Sequence, residues 1–299
     1  MRWRPRGSSP AATTNGRIWR PIERKIHEPP RHQDTKCHQE TVLGAPWCLG
    51  VLAARGPVLS AGTFTLDGRA IPFEEGQTIL DAAAAAGVDI PHLCHLPGLA
   101  PHGSCKLCTV SIGGRLGAAC TNRAAAGMTV ESETAELNAH RLTLVQMLFV
   151  EGNHFCPSCE KSGACRLQET ARRLGMTTPH FTHFFPARDL DASHPDVVLE
   201  RNRCILCELC VRASRDVDGK NVFAIGGRGI RARLIVNSAS GRLADTALSA
   251  NDRAVDVCPT GAILRKRVGF AVPIGRRPYD RHDIALSLPT RRGEGAGGG

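Results

Sequence analysis

Eleven of the thirteen cysteines in this 299-residue chain fall into three sets at metal-ligand spacing, and this constrains the fold more than any other feature. Cys94, Cys105, Cys108 and Cys120 form the first set, with ten, two and eleven residues between successive members. Cys156, Cys159 and Cys165 form the second, and His154 is the nearest candidate for a fourth ligand. Cys204, Cys207 and Cys210 make a compact triplet, which Cys258-Pro259 follows 47 residues later. With His154 the count is twelve ligands in three sets of four, and no cysteine after residue 60 is left over.

Each set suits a particular iron–sulfur cluster. Four thiolates with a close central pair hold the two irons of a [2Fe–2S] cluster, and Gly103, Ser104, Gly113, Gly114 and Gly117 let the backbone wrap closely and donate N–H groups to sulfur. The ten-residue first interval is an enlarged variant of the plant-type spacing. Three cysteines need a fourth ligand to carry a [4Fe–4S] cluster. A neutral imidazole from His154 would leave that cluster less negative and raise its potential, the alternative being that His154 only hydrogen-bonds nearby. The triplet supplies three corners of a second [4Fe–4S] cluster, and Cys258 most simply closes it. Any one set read alone could be a structural zinc site. Three consecutive sets in this order are far more specific.

Thirteen cysteines in a secreted protein would suggest disulfides, but the N-terminus lacks an apolar core followed by a small-residue cleavage site. No run approaches the roughly 18 apolar residues of a membrane helix; the stretch from Val42 ends at Arg55. Of the net charge of +10, the first 60 residues supply +6, from ten Lys/Arg against four acids. The remainder is too weakly basic for a nucleic-acid footprint. Residues 1–60 are rich in Arg, Pro and small residues without periodicity and read as a disordered or mis-started leader, in which Cys37 and Cys48 are free thiols.

From Gly62 the pattern becomes regular. Thr63–Leu66 and Ala70–Phe73 read as strands around an Asp67-Gly68 turn. Thr78 caps a helix over Ile79–Ala86 that Gly87 ends, with Asp81 three residues on. Strands follow at Thr109–Ile112, Arg115–Ala119 and Met128–Glu131. This is the order of a β-grasp ferredoxin. A helix over 134–150 carries Leu137, Leu144, Val145 and Leu148 on one face and stops at Gly152. Residues 177–200 read as loop. The fold class is thus α+β: a leader over 1–60, a β-grasp [2Fe–2S] domain over 61–137, a His/Cys [4Fe–4S] helical segment over 138–180, a ferredoxin-like [4Fe–4S] domain over 181–270, and a tail over 271–299.

No G-x-G-x-x-G or P-loop is present, and Gly226-Gly227-Arg228-Gly229 fits neither pattern. His92, His95, His102, His140, His180, His183, His194 and His282 form no nucleophile–base arrangement and read as surface or structural residues. Three clusters without a substrate pocket describe an electron conductor.

The stretches IPHLCHLPGLAPHGSCKLCTV, FVEGNHFCPSCEKSGACRLQ, ERNRCILCELCVR, CPTGAILRKRVGF and PIGRRPYD resemble the diaphorase small, or gamma, subunits of cytoplasmic NAD-reducing [NiFe] hydrogenases. They are also similar to the N-terminal iron–sulfur region of the large subunit of respiratory complex I, in which three residues rather than Phe155 alone separate the histidine from the next cysteine. The resemblance covers about residues 62–280. The short extent and the PIGRRPYD tail favour the hydrogenase subunit. The resemblance implies a cytoplasmic heteromeric enzyme: hydrogen oxidised on [NiFe] hydrogenase small and large subunits delivers electrons through this chain to FMN and then NAD⁺ on a diaphorase large subunit. The [4Fe–4S] clusters would form the relay, with the His154-linked and [2Fe–2S] centres tuning or branching it. The same relay in a formate dehydrogenase or an NADH:quinone oxidoreductase is the alternative within this class, and a zinc-binding interaction module the alternative outside it. Deleting residues 2–60 should leave iron and acid-labile sulfide per chain unchanged; loss of iron would make Cys37 or Cys48 a ligand.

Overall fold

Asp67 and Gly68 both take positive φ, 49° and 80°, as a two-residue primed turn requires. They close a hairpin between β1 (Gly62–Leu66) and β2 (Arg69–Phe73), registered Phe64 opposite Ile71. The Asp67 carboxylate also accepts from the Ser132 and Glu133 N–H groups, at 2.6 and 3.1 Å, and so pins a segment 65 residues away to the turn. The computed structural model describes residues 61–184 and 187–280; the readings made for 1–60, Cys37, Cys48, His282 and the last 19 residues lie outside them.

Helix α1 (Ile79–Ala85) starts at Thr78, whose hydroxyl oxygen accepts from Asp81 N–H at 3.1 Å. Its Ile79, Leu80, Ala82 and Ala83 are buried against Phe64, Ile71, Val110 and Val130. Strands β3 (Thr109–Ile112), β4 (Arg115–Ala118) and β5 (Thr129–Glu131) complete a five-stranded sheet of order β2-β1-β5-β3-β4. Only the β1–β5 pair is parallel. This is the β-grasp arrangement.

Helix α2 (Ala135–Glu151) is capped by Thr134, which accepts from Leu137 N–H at 3.2 Å, and it ends at Gly152. Leu137 and Val145 are buried as the apolar face requires, while Leu144 and Leu148 are only partly so. Between them lies a residue that the apolar pattern does not indicate. Arg141 is 1% exposed and donates to the carbonyls of Leu107, Thr109 and Ser132 at 2.8–3.0 Å, and to Asn138 Oδ1 and Ser132 Oγ. One guanidinium thus ties α2 to the cysteine-bearing loop and to β3. Helix α3 (Arg166–Arg173) packs on α2 through Leu167 and Ala171.

The expectation of loop over 177–200 is corrected. Strands β6 (Leu190–Asp191) and β7 (Val197–Glu200) pair there, and β7 also pairs with β10 (Ile263–Arg265). Val197 and Leu199 are buried, but four residues are too few to show a period, and the partner is distant in sequence. Helix α4 (Leu209–Asp216), hairpin β8 (Phe223–Gly226) with β9 (Arg233–Val236), and the short α5 (Arg253–Asp256) enclose the remaining core. Among the described residues no helix is long and apolar enough to cross a membrane.

Arg141→Met removes the donors from three backbone carbonyls around a buried site, and should lower stability by about 3 kcal/mol or more. An unchanged thermal midpoint at equal iron content would show that those carbonyls find water instead.

Candidate metal centres

The first cysteine set is brought together at one end of the β-grasp sheet. Cys94 lies in the loop after α1, Cys105 and Cys108 precede β3, and Cys120 follows β4. Cys94, Cys108 and Cys120 are buried, and Cys105 N–H points at Cys94 Sγ at 3.5 Å. The four thiols are close enough to share protons. Donation from Cys105 and Cys120 holds Cys94 far below the usual thiol range, and donation from Cys120 brings Cys108 down to about 7. Cys105 and Cys120, as the donors, are pushed up. Lys106, between Cys105 and Cys108, adopts φ 56°, a left-handed conformation that costs a non-glycine residue of order 1 kcal/mol. Such alternation turns backbone N–H groups towards one point and makes an anion-binding concavity.

The second set collects at the N-terminus of α3, where Cys165 occupies the cap position. His154, Cys156, Cys159 and Cys165 line one small cavity of about 20 Å³ with Phe155, Gln168, Arg203 and Gly261. Phe155 is 65% exposed while the His154 ring nitrogen Nε2 is buried, so a single intervening residue still lets the imidazole turn inward. His154 Nε2 is buried without a hydrogen-bond partner, and burial, then Arg203, lowers its pKa to about 4. A neutral imidazole nitrogen with a free lone pair beside three thiols is the donor set a metal takes. Burial pushes Cys165 up to about 12. Gly152 has a second use beyond ending α2, since a Cβ there would collide with His154 Nε2 and stand 2.9 Å from the Asn202 carbonyl.

The third set surrounds a small cavity of about 10 Å³. Cys204, Cys207, Cys210 and Cys258 line it, with Ile205, Ile225, Leu234 and Ile263 excluding water. Leu206 and Glu208, alternating with the cysteines, have φ 54° and 58°, which repeats the backbone device of the first loop. Burial raises Cys204 to about 11 and holds Cys207 and Cys210 higher, so these thiols ionise only when something supplies compensating positive charge. Among the described residues no three His, Cys, Asp or Glu side chains converge as on a single metal ion. The second and third sets each line one shared cavity instead, which is how ligands to a cluster of several irons are arranged.

Residues that cysteine spacing does not flag join the sets. Arg212, two positions after Cys210, donates to the carbonyls of both Cys94 and Cys207. Arg166, next to Cys165, donates its N–H to the Pro259 carbonyl at 2.8 Å, and its guanidinium lies 2.9 Å from His92 Nε2. Gly261 admits Cys159, because a Cβ there would meet Cys159 Sγ at 2.9 Å. Thr260 Oγ1 donates to the Arg203 carbonyl at 2.8 Å. The third set therefore touches both others, and Cys105 and Cys165 also share one apolar cluster with Leu93 and Leu107. Of the other histidines, His92, His95 and His194 are buried; His95 Nε2 lies 2.8 Å from Asp81 Oδ1, and His194 Nε2 2.9 Å from the Leu248 carbonyl.

Comparison with known proteins agrees with this geometry. Residues 61–135 match a 2Fe-2S iron-sulfur cluster binding domain, 141–180 the NADH-ubiquinone oxidoreductase-G iron-sulfur binding region, and 197–264 a 4Fe-4S single cluster domain. The chain carries iron–sulfur domains of both types. It is similar to the gamma subunit of the NAD-reducing hydrogenase HoxS of Cupriavidus necator, 43% identical over 74% of this chain and 94% of that protein. The alpha subunit of NADPH-Fe(3+) oxidoreductase from Geobacter sulfurreducens is 31% identical over 70% of this chain, which spans only 24% of that longer protein. A chain of the crystal structure of an NAD⁺-reducing [NiFe]-hydrogenase in the H₂-reduced state superposes with a TM-score of 0.72 at 53% identity, covering 77% of this chain and 100% of that one. By its near full-length match, the chain belongs to the family of the gamma subunit of NAD-reducing hydrogenase.

Proposed function

We propose that this chain is the iron–sulfur electron-transfer subunit of a cytoplasmic NAD-reducing [NiFe] hydrogenase, linking hydrogenase small and large subunits to a diaphorase subunit that holds FMN and NAD. The observation that carries this reading is that three ligand sets are fastened to one another by direct hydrogen bonds between the segments that bear them. Cys94, Cys105, Cys108 and Cys120 would hold a [2Fe–2S] cluster. His154 with Cys156, Cys159 and Cys165 would hold one [4Fe–4S] cluster, and Cys204, Cys207, Cys210 and Cys258 the other. When bound, these groups take up and release single electrons, so that the two electrons of hydrogen pass one at a time towards NAD⁺.

The residues of the chain do the rest. Ile225, Leu234 and Ile263 keep water from the third set, and along the loop that Leu206 and Glu208 bend through positive φ, the backbone N–H groups of Leu206, Leu209 and Val211 face the sulfurs of Cys204, Cys207 and Cys210. Neutral His154 contributes no negative charge, which favours a higher potential at its site than four thiolates would give. Contact between the third set and both others supports all three centres as members of one relay, rather than a [4Fe–4S] relay with the other two as branches. The boundaries 61–137, 138–180 and 181–270 fit this division into three cluster-bearing segments, with 271–299 as a tail. The matching of iron–sulfur domains over residues 61–135, 141–180 and 197–264 favours iron over the zinc-module alternative. The NADPH-Fe(3+) oxidoreductase relative matches over a quarter of its length and stands as a relative only.

Anaerobically purified protein should contain about ten irons with matching sulfide, and EPR should resolve one [2Fe–2S] and two [4Fe–4S] signals; zinc without sulfide would overturn the reading. Cys207→Ser should abolish hydrogen-dependent NAD⁺ reduction in the assembled enzyme while NADH oxidation with an artificial acceptor persists. Survival of both activities would remove the third set from the path. Gly261→Ala, by displacing Cys159, should cost about four irons per chain and the second [4Fe–4S] signal, leaving the [2Fe–2S] signal intact.

A further inference from the structure

Arg212 lies on α4 with its side chain 5% exposed, and its guanidinium is spent entirely on backbone. It donates through Nη2 to the Cys94 carbonyl at 2.6 Å and the Cys207 carbonyl at 3.4 Å. Nη1 donates to the Ala100 carbonyl at 2.5 Å, and Nε to Glu208 at 3.3 Å. Among the described residues no carboxylate pairs with it. Glu208 is engaged with His102 Nε2 at 3.3 Å, and Asp216, one turn on, feels the charge of Arg212 but is exposed and pairs with Arg215 at 2.6 Å. A buried cation without a contacting counter-ion is costly unless negative charge is supplied close to it. Cys94 and Cys207 are members of different ligand sets, 113 positions apart, and both face one apolar cluster.

The geometry assigns Arg212 as a positioning residue shared by the first and third centres: it fixes the backbone of one ligand of each, and its charge offsets the negative charge that each centre gains on reduction. This rests on the ligand sets proposed above. The planar fork is essential to the first part, because Nη1 and Nε, held by the Ala100 and Glu208 carbonyls, fix the direction of the Nη2 that bridges Cys94 and Cys207, and a single ammonium cannot satisfy all four carbonyls at once. The charge is essential to the second, because a cation in a water-poor site favours the more negative, reduced form. The two loops and the two equilibria are thereby coupled through one side chain. The second centre, whose ligands Arg212 does not touch, is outside its reach.

EPR-monitored redox titration of the full chain, purified without air, tests this with two variants. Arg212→Gln should shift the [2Fe–2S] signal and the third-set [4Fe–4S] signal together to more negative potential. The expected size is about tenfold in the one-electron equilibrium, or about 59 mV, with the His154-linked signal unmoved. Arg212→Lys should keep both potentials near wild type but weaken the spin–spin interaction between those two centres. Unchanged potentials in Arg212→Gln, a shift at one centre only, or an equal shift at all three would overturn the proposal. If Arg212→Gln loses its clusters, Arg212→Lys decides alone: wild-type potentials with weakened coupling support the assignment, and loss of clusters there too would reduce Arg212 to a structural role and overturn it. A wild-type chain without iron would instead overturn the ligand sets themselves.

Discussion

A thiolate carried into a protein interior loses hydration that only an opposite charge, a metal or hydrogen-bond donors can replace. Burial, with neighbouring thiols adding to it, drives Cys165 to about 12 and Cys204 to about 11, and raises Cys207 and Cys210 further. Much of the described architecture answers this cost. The loops between cysteines accept left-handed backbone at Lys106, Leu206 and Glu208, which turns N–H groups inward. Apolar side chains such as Ile225 and Leu234 then close the third site against water, which strengthens each electrostatic interaction that remains.

Arginine supplies much of the cohesion that a richer aromatic content would otherwise provide. Aromatic residues are 4% of the chain, and the core divides into three separate apolar clusters. Between clusters, guanidinium groups reach across to backbone carbonyls. Arg141 joins α2 to the first cysteine loop, Arg212 joins that loop to the triplet, and the Arg166 backbone joins the second site to the Cys258 segment. Arginine suits this use because five donors in a rigid fork satisfy several carbonyls from different elements at once. It also leaves each apolar cluster small enough to keep the ligand loops near one another.

Cysteine spacing made the three sets legible, because ligands to one cluster must recur at short intervals wherever a loop wraps it. Local chemistry also showed through: Asp67-Gly68 as a hairpin turn, Thr78 as a cap, and Gly152 as a helix end were readable from a few residues each. What stayed hidden depends on distant pairing. Strand β7 is four residues long and gains its identity from β10, more than sixty positions on. Arg141 occupies a polar position by composition and a buried one by structure, since its carbonyl partners lie in other elements. Gly261 carries no local signal of its use, because its lack of a side chain serves Cys159, a hundred positions earlier. His154 lay between these cases, visible as a residue type but placed only by the turn that throws Phe155 outward.

The position of Cys258 also sets an order in time. The chain leaves the ribosome from its N-terminus, and the first set, spanning Cys94 to Cys120, emerges within one locally folding sheet and loop. The third site lacks its fourth sulfur until 47 further residues have followed Cys210. The second site has all its own sulfurs by Cys165, yet its wall at Gly261 and the Pro259 carbonyl that holds Arg166 arrive with that same late segment. The seating of β10 against β7 therefore brings into place, in one late step, the last sulfur of the third site and the last wall of the second.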